Sequence, residues 1–279
     1  SKCGVDSQCY IDQFTLYLKS AGVSKTLILM NNTAKITNGY NNTCHNLAHK
    51  IGGIAFNLYG VNAIASHDNS CDWGFGHGVM IEASSKMKPD EFNNYFSDFC
   101  LKDREPIGCL HGLGHALGGK EIKGKDASKI CKYIAAKYDA TQVGIRKMIN
   151  KSGYGVCIEG WLMQQLGNPY WGDEISYEGA RKFCDGVENG EGLDVCISMA
   201  LRNYVDYNKD LDIRKKRLDY FINFCSTKGA RIYYECGRYL GEAADEVYVP
   251  GFNFDKNSVA EGIISTCKGS YLVSCVESF

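Results

Sequence analysis

The chain has 279 residues, of which 44% are hydrophobic and 23% are charged, and these are ordinary values for a globular protein. Its formal net charge is −1, which gives no electrostatic reason to expect nucleic acid or an anionic membrane surface as a partner. No apolar run approaches the roughly 18 residues of a membrane-spanning helix, so we predict no membrane span.

Fourteen cysteines are distributed along the whole chain. No two of them have the C-x2–4-C spacing of a zinc site, and the C-x-x-C-H motif of covalent haem is absent, so we predict disulfides. Disulfides indicate a secreted or extracytoplasmic protein. Glycosylation sequons at Asn31, Asn41 and Asn150 are compatible with that setting.

The simplest pairing joins neighbouring cysteines, because the end of one helix and the start of an antiparallel neighbour lie within the ~7 Å that a disulfide requires. Each bridge is then expected to close one αα-hairpin at its turn. The predicted pairs are Cys3–Cys9, Cys44–Cys71, Cys100–Cys109, Cys131–Cys157, Cys184–Cys196, Cys225–Cys236 and Cys267–Cys275.

Every second cysteine from position 71 onward marks a repeat. These cysteines stand at 71, 109, 157, 196, 236 and 275, with steps of 38, 48, 39, 40 and 39 residues. Helical spacing of apolar residues fills the segments ahead of them, at 90–100, 127–136, 176–184, 211–225 and 259–267. A second helix is expected to begin at the next cysteine, and strand signals are nearly absent.

The predicted fold is therefore all-α, with disulfide-stapled αα-hairpin repeats arranged as a solenoid or closed as an α/α toroid. We expect a single domain over residues 1–279, with an N-terminal cap at 1–43, histidine-bearing repeats at 44–120 and further repeats at 121–279. Such hairpins resemble the cysteine-rich relatives of the Sel1 and TPR repeats. The resemblance concerns cysteine spacing and helix pairing from Cys100 to Cys275, and implies an αα repeat architecture but no functional residue.

In chain order, the first histidines lie on the helix that begins at Cys44. His45 and His49 are four residues apart and therefore share one helix face. His67 follows in a loop, where a histidine is usually solvated. The helix at Cys71 carries Trp73 and His77 at its second and sixth positions after the cysteine.

The helix at Cys109 has His111 and His115 at those same two positions. Paired imidazoles on one face can bind one cation, so we predict a metal site. The predicted ligands are His45, His49, His77, His111 and His115. The alternative is that they are buried structural histidines bonded to backbone carbonyls.

Later helices place other polar residues at the equivalent positions. Glu159 is the predicted metal ligand or general base, and the alternative is a carboxylate that stabilises the N-terminus of its helix. Arg202, Arg238 and Glu242 are candidate substrate contacts. For the arginines the alternative is an internal ion pair with Glu242 or Glu277.

Three histidines with a nearby carboxylate suit zinc or non-haem iron, whereas five in two groups suit a dinuclear copper or iron centre. Non-covalent haem held by two axial histidines is a further alternative. We therefore predict an extracytoplasmic copper, iron or zinc protein, and favour an oxidoreductase that acts on a small molecule. A non-catalytic structural or interaction module of an envelope or filament is the alternative, and self-association or a protein partner is compatible with either.

Overall fold

The computed structural model describes residues 3, 6–36, 41–68, 71, 73–103, 106–119, 122–141, 153–166, 178, 182, 184–188, 190–206, 210–227, 233–248, 261–262, 264–267 and 275–276. Within these ranges the regular structure is helical throughout and contains no strand, so the predicted all-α fold is confirmed. None of the helices in these ranges has the length and apolar character needed to cross a membrane.

Two compact units make up the chain, one from Ser1–Ile122 with Ile130–Gln164 and the other from Lys123–Lys129 with Gln165–Phe279. The single domain, the solenoid or toroid arrangement and the resemblance to Sel1 and TPR repeats stay predictions. Helices of the first unit are α1 (Ser7–Ala21), α2 (Val23–Ile36), α3 (Asn41–Tyr59), α4 (Gly74–Lys86), α5 (Pro89–Lys102), α6 (Pro106–Gly119), α7 (Gly124–Thr141, which begins in the second unit) and α8 (Gly153–Leu166). A 3₁₀ segment, Gly60–Ser66, follows α3.

Local sequence signals explain where several of these helices begin and end. Asp6 caps α1, because its carboxylate accepts the backbone N–H groups of Gln8 and Cys9. Gly22 ends α1 with a φ of 81°, a left-handed value that suits glycine. Pro89 occupies the first turn of α5, where its missing N–H costs no helical hydrogen bond.

In the second unit, α9 (Glu191–Asp206), α10 (Leu211–Thr227) and α11 (Tyr233–Tyr248) pack against one another. The predicted helices at 90–100, 127–136 and 211–225 lie within α5, α7 and α10. Of the helix predicted at 176–184 only residues 178, 182 and 184 are described, whereas in the helix predicted at 259–267 residues 261–262 and 264–266 are helical.

The sequence led us to expect that each second helix begins at a cysteine, and this expectation is wrong. Helices α3, α6, α8, α9 and α11 begin three to five residues before Cys44, Cys109, Cys157, Cys196 and Cys236. Each of these cysteines therefore lies within the first turns of its helix, where its side chain forms the disulfide. Among the described helices that follow a repeat cysteine, only α4 begins after its cysteine, Cys71.

All fourteen cysteines lie among the described residues, and the structure joins them in the seven predicted pairs, with Cα–Cα distances of 5.3–5.8 Å. Cys100–Cys109 and Cys225–Cys236 link the end of one helix to the start of the next, as predicted. The expectation that every bridge closes a hairpin is wrong for Cys44–Cys71. This bridge joins the start of α3 to the residues just before α4, and a 3₁₀ segment takes the place of a returning helix.

Glycines bring the backbones of α3 and α4 into direct contact. A Cβ on Gly74 would lie 2.6 Å from the carbonyl oxygen of His45, and one on Gly78 would lie 2.0 Å from that of His49. Both distances are far below van der Waals contact. Since the residue numbers rise together along both helices, α3 and α4 run in the same direction.

The same arrangement recurs between α6 and α8. A Cβ on Gly114 would lie 2.1 Å from the carbonyl oxygen of Cys157, and one on Gly160 would lie 2.0 Å from that of His111. Between these two pairs, α4 packs on α6 through side chains, with His77 against Gly112. We call α3, α4, α6 and α8 the inner helices of the first unit.

Candidate metal centre

The inner helices α3, α4 and α6 bring five imidazole rings together. We call this set the histidine cluster, and it consists of His45, His49, His77, His111 and His115. His77, on the middle helix, has its ring centroid 5.1–5.5 Å from the centroids of the other four rings. Histidine rings of α3 and α6 also contact each other, because the ring centroids of His49 and His115 are 5.5 Å apart.

Each His-x3-His pair directs two nitrogens at one point. The Nε2 atoms of His45 and His49 are 3.0 Å apart, and those of His111 and His115 are 3.2 Å apart. Two metal–nitrogen bonds of about 2.0–2.1 Å at a tetrahedral angle separate their nitrogens by about 3.3–3.4 Å. The observed spacing therefore suits either a shared hydrogen bond or a shared metal ion.

Backbone carbonyls fix which nitrogen of two rings is available. His45 donates its Nδ1–H to the carbonyl oxygen of Cys71 at 2.9 Å, which leaves Nε2 facing His49. His77 donates its Nε2–H to the carbonyl oxygen of Gly108 at 3.2 Å. Its Nδ1 is buried and has no hydrogen-bond partner. In an apo protein such an orphaned acceptor is costly, and a metal ion would satisfy it.

Burial keeps three of the clustered imidazoles neutral, those of His49, His77 and His115. His77 and His115 are 2% and 6% exposed, and burial, with the neighbouring histidines, holds the pKa of each well below the usual 6.5. Burial, followed by the charges of His45, His111 and Lys50, lowers the pKa of His49 to about 3. Neutral imidazole is the form that binds a metal ion.

Three of these histidines form the tightest group. His45, His49 and His77 each offer a ligand nitrogen, and the three nitrogens lie within 4.8 Å of one another. Three imidazoles with a further position open are a frequent arrangement in catalytic zinc sites. The first three of the five predicted ligands thus form a possible metal site, and the structure places the other two beside it.

His67 lies outside the cluster and is partly buried, with 12% of its side chain exposed, contrary to the expectation of a solvated loop histidine. Its Nε2 is 2.9 Å from the carboxylate of Asp103, and its Nδ1–H donates to the carbonyl oxygen of Ile64. Burial by itself lowers the pKa of His67, but these two hydrogen bonds and the charges of Asp103 and Asp68 raise it above 6.5. Both nitrogens are therefore occupied, and His67 is not available as a ligand.

Glu159 is buried, with 7% of its surface exposed, on α8. It is the seventh residue of that helix, beyond the first turn where a carboxylate interacts with the helix dipole, so the helix N-terminus interpretation is wrong. The next residue, Gly160, packs against the carbonyl of His111. The role of Glu159 as ligand or base stays a prediction.

The predicted substrate contacts belong to the second unit. The guanidinium of Arg238 lies over the ring of Tyr239, 4.6 Å from its centroid, and Arg202 is partly buried on α9. The side chain of Glu242 and all of Glu277 lie outside the described parts of the chain. A substrate role for these residues stays a prediction.

A duplicated sequence pattern underlies the cluster and escaped the sequence analysis. Residues 45–53 and 111–119 both read His-x-Leu-x-His-x-(Ile/Leu)-Gly-Gly, on α3 and α6. Direct comparison of the two segments would have found it. The carbonyls of Cys71 and Gly108, in contrast, carry no side-chain signal that a sequence could show.

The chain was also compared with other proteins for a relative whose site is known. Searches of family models, of curated proteins and of solved structures found no match to this chain. The fold and the histidine geometry are therefore the basis for assigning a function.

Proposed function

We propose that the protein binds a transition-metal ion through His45, His49 and His77. The observation that carries this proposal is the set of three ligand nitrogens within 4.8 Å of one another on two parallel helices. Two further features support it. The tautomer of His45 is set by the carbonyl of Cys71, and the buried Nδ1 of His77 has no other partner.

The donor set favours zinc, copper or iron. Imidazole suits all three metals, and no thiolate competes, because every cysteine is in a disulfide. Axial ligation of haem is less favoured, because a porphyrin must lie between the two axial nitrogens. The 3.0 Å separation of the His45 and His49 Nε2 atoms leaves no room for one at that pair.

We further propose that the protein is a secreted or extracytoplasmic metalloenzyme, with an oxidoreductase favoured. Seven disulfides support an oxidising setting. A redox-active ion with three imidazole ligands would supply electron transfer to a small molecule at its open position. Within the chain, the inner helices orient the imidazoles and keep those of His49 and His77 neutral, and Glu159 is the candidate proton acceptor.

The test is elemental analysis of the untagged protein, purified without added metal and again after loading with zinc, copper or iron. The variant His45→Ala/His49→Ala is expected to lose bound metal. His67→Gln is the matched control, because this histidine lies outside the cluster with both nitrogens occupied, and it is expected to retain metal. Circular dichroism checks that both variants stay helical.

Metal that binds to the wild type and the control but not to the double variant supports the proposal. No stoichiometric metal in the folded wild type, even after loading, would overturn it. That result would favour a disulfide-stapled structural or interaction module.

A further inference from the structure

We infer that His111 and His115 hold a second metal ion, so that the histidine cluster is a two-metal centre. This inference rests on the proposed metal binding at His45, His49 and His77. Its starting point is the duplicated pattern at 45–53 and 111–119, which places two imidazoles at the same spacing on each of two inner helices.

The two pairs have the same local geometry. Both direct their Nε2 atoms at each other, at 3.0 Å on α3 and at 3.2 Å on α6. Both also lie on helices whose backbones are held by glycine contacts with another inner helix, through Gly78 of α4 for α3 and Gly160 of α8 for α6. A spacing that fits a metal ion at the first pair therefore fits one equally well at the second.

One ion does not serve both pairs. Among the described residues, the group of ligand nitrogens within 4.8 Å of one another contains neither His111 nor His115. His77 offers only Nδ1, since its Nε2–H donates to Gly108, and so contributes to one ion.

The two positions are nevertheless close enough to act together. The ring of His77 is 5.4 Å from that of His111 and 5.1 Å from that of His115, and the rings of His49 and His115 are 5.5 Å apart. The second ion has two imidazole ligands from the chain, so it keeps more positions for exchangeable ligands than the first. We therefore place substrate exchange at the second ion, with a small molecule of a few atoms that reaches both metals.

One ring nitrogen of the second pair is buried without a hydrogen-bond partner. His115 is 6% exposed, and its Nδ1 has no hydrogen-bond partner. A purely apolar helix contact would not need two imidazoles at this position.

The experiment is metal stoichiometry of the full chain with zinc alone, then with copper(II) alone, by elemental analysis after gel filtration. Wild type and His67→Gln are expected to hold two ions per chain. The variants H111A/H115A and H45A/H49A are each expected to hold one. H111N/H115N, which keeps polar side chains on α6, is the second variant should the alanine pair fail to fold.

Electron paramagnetic resonance of the copper-loaded protein adds a test of distance that needs no variant. Two neighbouring copper(II) ions in the wild type are expected to couple, so that the signal integrates to much less than two spins per chain. In H111A/H115A it should integrate to one uncoupled spin per copper.

The possible results separate the two proposals. One ion in the wild type, or two ions in a folded H111A/H115A variant, overturns the two-metal inference and leaves the proposed function standing. Two uncoupled copper spins in the wild type also overturn the inference. No bound metal in any variant overturns both.

Discussion

His45 donates its Nδ1–H to the carbonyl oxygen of Cys71 at 2.9 Å, and Cys71 is itself bridged to Cys44, the residue before His45. The disulfide and the hydrogen bond thus connect the same two segments. Together they hold the start of α3 against the start of α4, the two helices that provide the proposed metal ligands. The bridge is therefore a support for the site as well as for the fold.

We predict that C44S/C71S weakens metal binding by about 10–100-fold, the usual effect of losing an outer-sphere support. The measurement is competition with a chelator of known affinity, at a temperature where the variant is folded. C3S/C9S is the control, because its bridge joins Cys3 to the first turn of α1, a helix that carries none of the clustered histidines. Equal affinity in the two variants would show that the Cys44–Cys71 bridge does not support the site.

The close contact of α3 with α4 predicts opposite effects for two glycine substitutions. Gly78→Ala places a Cβ 2.0 Å from the carbonyl oxygen of His49, so the helices must separate. We expect the free energy of unfolding to fall by about 1–3 kcal/mol. Gly53→Ala is the control within the same helix pair. Its Cβ would be 3.7 Å from the nearest atom of Glu82. We expect the free energy of unfolding to rise by up to about 1 kcal/mol, because alanine has a higher helix propensity than glycine.

Urea unfolding of both metal-free variants measures these changes. A destabilised Gly53→Ala together with a neutral Gly78→Ala would contradict the contact. Metal retention provides a second readout, because separation of α3 from α4 moves His77 away from His45 and His49.

Much of this architecture could be predicted because its signals are local. Helical spacing of apolar residues identified α5, α7 and α10, and the order of the cysteines was enough to pair them. The shared register of His77, His111 and His115 likewise indicated that several helices present imidazoles together.

The features that could not be predicted depend on contacts between residues far apart in the sequence, or on backbone atoms, which local sequence patterns do not show. The 26 residues between Cys44 and Cys71 could hold a returning helix, and only the structure shows a short 3₁₀ segment with two parallel helices. The burial of His67 depends on Asp103, which is 36 positions further along the chain. The backbone carbonyls that orient His45 and His77 could come from any residue type.

The buried imidazoles predict that the metal-free protein loses stability in acid. His49, His77 and His115 have lowered pKa values when folded, whereas in the unfolded chain their pKa is the ordinary 6.5. Below pH 6.5 the unfolded chain therefore binds protons that the folded protein does not. As the pH falls below 6.5, each such histidine lowers the free energy of unfolding by about 1.4 kcal/mol per pH unit. For His49 this decrease continues down to about pH 3.

Urea unfolding of the metal-free protein at pH 7 and pH 5 measures this loss. In the variant His49→Gln we expect the loss between these two pH values to be smaller by about 2 kcal/mol, since one titrating group is removed. The variant comparison cancels the contribution of carboxyl groups common to both proteins. An unchanged loss in His49→Gln would mean that His49 is charged in the folded state.

His67 predicts a pH dependence of the opposite sign. Its pKa is raised in the folded protein, despite burial, by the hydrogen bonds to Asp103 and Ile64 and by the charges of Asp103 and Asp68. The stabilisation from the His67–Asp103 pair is therefore fully present below pH 6.5. It is lost as the pH rises through the higher pKa of the folded state.

We expect His67→Gln to lower the free energy of unfolding by about 1.5–3 kcal/mol at pH 5.5, the range for hydrogen bonds to charged groups. The decrease should be clearly smaller at pH 9. Asp103→Asn should show the same trend, and proton NMR of the histidine ring should show that the pKa of His67 falls in this variant. A cost of His67→Gln that is equal at pH 5.5 and pH 9 would mean that His67 is neutral in the folded protein. Because its two nitrogens face a carboxylate and a carbonyl, a neutral His67 would leave one of these buried acceptors without a donor, so we expect the charged form to be retained.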